Sequence, residues 1–187
     1  SGDLKNTQIG LVISDKPDAQ GLQRAEKYQI PSSVRELQDR KDPTKRDIYS
    51  KELAEFLNTN GVQIVVLAGF MTILSPSFLR DFQGGIINIH PGGIPETKSE
   101  PYLLPDGTEA PWNQKMMTDD AVDVFIKRGL KYAVSTVHVV TGEPDFGPIL
   151  ERGIEEIKPD DTVDSLYSRL KLQEHAALIR ALKKPTE

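Results

Sequence analysis

Two apolar runs in the middle of the chain, VQIVVLAGF at 62–70 and GIINIH at 85–90, lack the polar–apolar alternation of a half-exposed strand. Strands of this kind are buried on both faces and belong to sheets covered by helices. A short helical stretch, SPSFLRDF, separates them. The rhythm extends in both directions. TQIGLVIS at 7–14 reads as an earlier buried strand, followed by the helical PDAQGLQRAEKY with Asp18 placed to cap it. DPTKRDIYSKELAEFLNTNG reads as a helix opened by Pro43 and closed before Gly61, with Tyr49, Leu53, Phe56 and Leu57 on one face. MMTDDAVDVFIKRG reads as another, ending at Gly129. YAVSTVHVV at 132–140 and GPILERGIEEI at 147–157 read as strands joined by a tight turn, and a long helix closes the sequence. Strand–helix alternation predicts an α/β fold, a mostly parallel sheet with helices on both faces.

A chain of 187 residues is long enough for one good core, and a single domain over 1–187 is expected. The net charge of -5 argues against a nucleic-acid surface but allows a small basic pocket for an anionic substrate. There are no cysteines, hence no disulfide framework, thiolate nucleophile or Cys-type zinc site. No apolar run has transmembrane length and no signal peptide is visible, so a soluble cytoplasmic protein without membrane or nucleic-acid partners is expected. Phosphate-loop, dinucleotide and serine-hydrolase motifs are absent. The three histidines, His90, His138 and His175, lack zinc-protease spacing, and no metal is expected.

The run GGIINIHPGG at 84–93 ends a buried strand in polar residues. Alternation puts Asn88 and His90 on one face, and Pro91, Gly92 and Gly93 stop the strand. Ligand sites of α/β sheets lie at such strand ends. His138 lies on a later strand and Asp145 in the turn after it. If these ends converge, Asn can donate to a developing oxyanion, His can act as acid or base, and Asp can hold the imidazole. No covalent nucleophile is then needed if the substrate supplies an amine. The same residues also have a plainer use, with Asn88 and His90 capping a strand and Asp145 forming an Asx turn.

VVLAGFMTILSPSFLRDFQGGIINIHP at 65–91 resembles the central segment of glycinamide ribonucleotide formyltransferases, folate-dependent enzymes of purine synthesis. VISDKPDAQGLQRAEKYQIP at 12–31, STVHVVTGEPDFGPIL at 135–150 and LKLQEH at 170–175 resemble further segments of that family, in the same order. Asn-x-His-Pro with a later His and Asp-x-Gly-Pro is shared across the formyltransferase superfamily, including methionyl-tRNA formyltransferase, formyltetrahydrofolate hydrolase and sugar formyltransferases. The resemblance implies a Rossmann-like formyltransferase fold. It also implies transfer of a formyl group from 10-formyltetrahydrofolate, a co-substrate, to the amine of glycinamide ribonucleotide. Asn88, His90 and Asp145 match the catalytic trio. Met71, Ile73 and Leu74 match the segment lining the folate pocket, and Val140, Thr141, Gly142, Glu143 and Pro144 match the loop that cradles the pterin. Glu174 matches an acidic residue that contacts the ribonucleotide, and His138 is placed with the substrate. On residue type alone, Glu174 can equally be a helix-rim carboxylate, His138 a satisfied structural histidine, and the apolar trio plain core.

The sequence departs from the family at two places. The first strand, its phosphate-binding loop and most of the first helix are not recognisable before SGDLKNTQIG, which would leave a sheet edge for a partner such as a second copy to cover. After His-Pro the family continues with Ser-Leu-Leu-Pro, whereas this chain reads GGIPETKSEPYLLPDGTEAPWNQ, a long Pro- and Gly-rich loop beside the expected site. Thr72 stands where many relatives carry Arg. These departures keep open a relative with another acceptor or with water as acceptor, and a folate-binding module without turnover.

Overall fold

The computed structural model describes Leu4 and residues 7–70 and 72–183, which form two compact units divided between Gly85 and Ile86. In the N-terminal unit, β1 (Val12–Ser14) pairs parallel with β2 (Ser32–Val34), and α1 (Gln20–Lys27) connects them. β1 is far shorter than the apolar run 7–14 suggests. Its ladder begins where the Val12 N–H donates to the Pro31 carbonyl, β2 offers only three residues, and Ile9 is 60% exposed. The N-cap of α1 is Ala19, not Asp18, with no side-chain cap.

α2 (Pro43–Thr59) starts as its sequence demands. Asp42 accepts hydrogen bonds from the N–H groups of Thr44 and Lys45, and Pro43 fills a position that needs no donor. Tyr49, Leu53 and Leu57 are buried as expected. Phe56 is half-buried, its ring covered by the Arg35 guanidinium at 3.7 Å. After β3 (Ile64–Leu67), α3 (Pro76–Asp81) packs on α2, fastened by the Ser75 N–H to the Ser50 hydroxyl at 2.9 Å.

The second unit carries β4 (Gly85–His90, from Ile86 onward), α4 (Thr118–Lys127), β5 (Tyr132–Val139), β6 (Ile149–Glu156) and α5 (Val163–Lys183). Here the pairing is antiparallel, β4 on β5 and β5 on β6. The nine-residue link 140–148 from β5 to β6 is too short for a parallel crossover, and the strand must turn back. α4 and α5 close over β5 and β6, and their buried side chains include Val122, Phe125, Val134, Leu166 and Leu170. The 91–114 loop is not loose: Pro91–Pro95, Leu104 and Ala110–Pro111 are buried, and Leu104 and Ala110 join this core.

β5 is buried along almost its whole length, and Gly153 of β6 makes room for α5 beside it. A Cβ at Gly153 would sit 2.7 Å from backbone atoms of Gln173. Gly153→Ala is therefore expected to destabilise the protein by about 1–3 kcal/mol, the usual range for overpacking. Chemical denaturation tests this, and a variant as stable as wild type would show that α5 can shift without penalty.

Candidate active site

The register of β4 on β5 builds the site. Asn88 pairs with His138 and His90 with Thr136, so the polar end of β4 lies against polar residues of β5. Thr136 fastens the turn that follows. Its hydroxyl donates to the Gly92 carbonyl at 2.6 Å and accepts from the Ile94 N–H at 3.3 Å.

His138 is buried, and its hydrogen bonds define its tautomer. Nδ1 lies 3.1 Å from the Val139 carbonyl, which can only accept, so Nδ1 carries the proton. Nε2 then accepts from the Asn88 amide at 3.3 Å. Burial, the largest influence, pushes the His138 pKa down from its ordinary value, consistent with a neutral ring. His138 thus stands behind Asn88 and orients its amide. One amide N–H of Asn88 goes to His138.

His90 is 3% exposed, with both ring nitrogens facing oxygen. Nε2 donates to the Trp112 carbonyl at 2.6 Å, and Nδ1 lies 3.4 Å from Asp145 Oδ1. Asp145 itself is held in left-handed backbone geometry, φ 50°. Asp tolerates this better than most side chains.

The 140–144 segment runs into this turn. The Thr141 hydroxyl donates to the Phe146 carbonyl at 2.7 Å, and Lys98 pairs with Glu143 at 2.7 Å. A cavity of about 260 Å³ opens beside Trp112, lined also by Gly93, Pro95, Lys98 and Glu100. Among the described residues no group of three or more His, Asp or Glu could hold a metal ion.

Of the residues singled out from the sequence, Asn88, His90, His138 and Asp145 come together. Val140, Thr141, Gly142, Glu143 and Pro144 lead directly into Asp145. Glu174 lies on the inner face of α5, where the Ser135 hydroxyl donates to it at 2.6 Å. Ile73 and Leu74 belong to the N-terminal unit, Ile73 70% exposed and Leu74 half-buried. Met71 lies outside the described residues. Sequence reasoning missed Trp112, Gln114 and Lys115. The available signal was that the chain's single Trp falls inside the long loop next to the site.

The chain is similar to several known proteins. A family model described as formyl transferase matches residues 2–98 and 119–182. The chain is 36% identical over 177 residues to the trifunctional purine biosynthetic protein adenosine-3 of Drosophila melanogaster, covering 95% of this chain but only 12% of that protein. It is 31% identical over 170 residues to a phosphoribosylglycinamide formyltransferase of Bacillus subtilis, covering 91% of this chain and 76% of that one. The solved structure of glycinamide ribonucleotide transformylase 1 from Symbiobacterium toebii superposes with a TM-score of 0.74 at 30% identity, over 94% of this chain and 73% of that one.

Burial raises the pKa of Glu174 above its usual 4.5, although the Ser135 hydrogen bond opposes it. The folded state then holds that proton more tightly than the unfolded chain. The sign follows by linkage: stability contributed by protonated Glu174 is lost as pH rises from 4.5 through the folded-state value. His138 acts in the opposite sense, since its depressed value removes stability as pH falls below 6.5. Glu174→Gln keeps an acceptor for Ser135 and removes the buried charge. It is expected to melt above wild type near neutral pH, with the gain shrinking toward pH 4.5. Thermal melts across that range test this, and a variant less stable than wild type at neutral pH would refute it.

Proposed function

We propose that this chain, which belongs to the formyl transferase family, transfers a formyl group from 10-formyltetrahydrofolate to the amine of glycinamide ribonucleotide. The observation that carries the reading is the convergence of Asn88, His90 and Asp145, with His90 Nδ1 3.4 Å from the Asp145 carboxylate. The Bacillus subtilis relative and the Symbiobacterium toebii structure, both named for action on glycinamide ribonucleotide, support the choice of acceptor.

The substrate amine attacks the formyl carbon, and the carbonyl oxygen becomes an oxyanion. The Asn88 N–H not used by His138 donates to it, and His90 donates through Nδ1. With Nε2–H given to the Trp112 carbonyl, a proton on Nδ1 makes the ring cationic, and the Asp145 carboxylate offsets that charge. Asp145 accepts the proton that the attacking nitrogen must lose, directly or through water. Collapse of the tetrahedral intermediate breaks the bond from carbon to N10 of the folate, and N10 takes up a proton. The balance is one C–N bond formed, one broken and one proton moved between nitrogens, with no oxidant or metal required.

The binding roles follow the resemblance. Val140–Pro144 match the family loop that cradles the pterin, and Met71, Ile73 and Leu74 match the family segment that lines the folate pocket. Glu174 matches the family's acidic residue that contacts the ribonucleotide, and burial, the largest influence, pushes its pKa up.

The test is formyl loss from 10-formyltetrahydrofolate, followed by absorbance of the deformylated folate with and without glycinamide ribonucleotide. Turnover is expected to depend on the ribonucleotide. Asn88→Ala is expected to lower kcat by about 10²–10³, the range for removing one oxyanion donor. His90→Ala and Asp145→Asn are expected to lower it by about 10²–10⁴. Asn at 145 tolerates the left-handed backbone, so that variant isolates the charge. Ribonucleotide-independent formyl loss would assign a hydrolase instead, and no turnover at all would defeat the reading.

A further inference from the structure

Trp112 touches both members of the His90–Asp145 pair. Its main-chain carbonyl accepts from His90 Nε2 at 2.6 Å, and its indole N–H donates to the Asp145 carbonyl at 2.6 Å. Its ring packs against Phe146, centroids 5.5 Å apart. The residues after it continue the contact. Gln114 donates to the Pro144 carbonyl at 2.7 Å, and the Lys115 N–H donates to Asp145 Oδ2, also at 2.7 Å.

The segment is itself firmly seated. The Gly93 N–H donates to the Pro111 carbonyl at 2.9 Å. Buried Asn113 donates to the carbonyls of Pro91 and Ala121 at 3.1 and 2.9 Å. Trp112 is thus fixed by neighbours on both sides. The approach of its carbonyl to His90 also depends on residue 92. A Cβ at Gly92 would collide with the Trp112 carbonyl oxygen and lie 2.7 Å from His90 Nε2.

We infer that Trp112 is a positioning residue for the formyl-transfer reaction. It ties up His90 Nε2, directs Nδ1 toward the reacting atoms, and holds the Asp145 turn at the distance that lets the two share a proton. Trp112, Gln114 and Lys115 all fall in residues 99–118, between the two stretches matched by the family model, so the chain supplies this support from its own inserted loop. The inference rests on the function proposed above, and one arm of its test does not.

Trp112→Phe keeps an aromatic ring to pack against Phe146 and removes the indole N–H together with the fused five-membered ring. One ordinary hydrogen bond corresponds to roughly a two- to tenfold change. The variant is expected to lose that factor in kcat with KM for both substrates unchanged, whereas a general loosening of the site would raise KM as well. The second arm is NMR of the imidazole N–H protons in the full chain without substrate. In wild type His90 Nε2–H is expected as a low-field signal protected from exchange. In Gly92→Ala, which drives the carbonyl away, that protection is expected to disappear while the rest of the spectrum keeps its folded dispersion. A Trp112→Phe enzyme with wild-type kcat, or a His90 N–H as protected in Gly92→Ala as in wild type, overturns the inference. If wild type shows no formyl transfer, the proposed function fails, and the NMR arm alone decides whether Trp112 sets the His90 ring.

Discussion

The register of β4 on β5 is the constraint on which the site depends. Two antiparallel strands that pair Asn88 with His138 and His90 with Thr136 leave little freedom for either polar side chain. A slip of one residue would turn Asn88 and His90 to the opposite face and bring Ile87 and Ile89 into their place. The register is held by more than ladder hydrogen bonds. Thr136 clamps the Gly92–Ile94 turn through its hydroxyl, and the apolar side chains of β5 are locked beneath α4 and α5. Packing remote from Asn88 and His90 therefore determines where these side chains stand.

Buried polar groups in this unit are supported in pairs. His138 gives one nitrogen to its own strand and the other to Asn88. His90 divides its nitrogens between a carbonyl and a carboxylate. Glu174 is held differently, since the Ser135 hydroxyl donates to it while burial works against its charge. A group kept at a cost to folding is well suited to meet a polar ligand, because the ligand can supply what the fold withholds.

Much of this was legible in the sequence. The run GIINIH gave its strand to the residue, since apolar content, alternation at its end and the following Pro-Gly-Gly all agree. The helices with strong terminal signals were equally plain: Pro43 and Gly61 bracket α2, and Gly129 follows α4. The trio of Asn88, His90 and Asp145 came from motif resemblance, while strand alternation alone favoured the plainer capping role. β1 is shorter than expected because Ile9 and Leu11 promise burial only where a neighbouring strand exists, and β2 supplies three residues. β2 itself, Ser32–Val34, has no pattern to read at that length. The part played by Trp112 could not be read at all. It acts partly through a main-chain carbonyl, a group every residue has, and its placement depends on tertiary contacts of a loop without regular structure.

The space above His90 has a consequence for how such a site can change. A side chain at residue 92 and the carbonyl of Trp112 exclude one another. The Ser of a Ser-Leu-Leu-Pro run would need the volume that the inserted loop now fills. Glycine at residue 92 and the seat of the Trp112 carbonyl on His90 are therefore one structural requirement, and a side chain at 92 would displace that carbonyl.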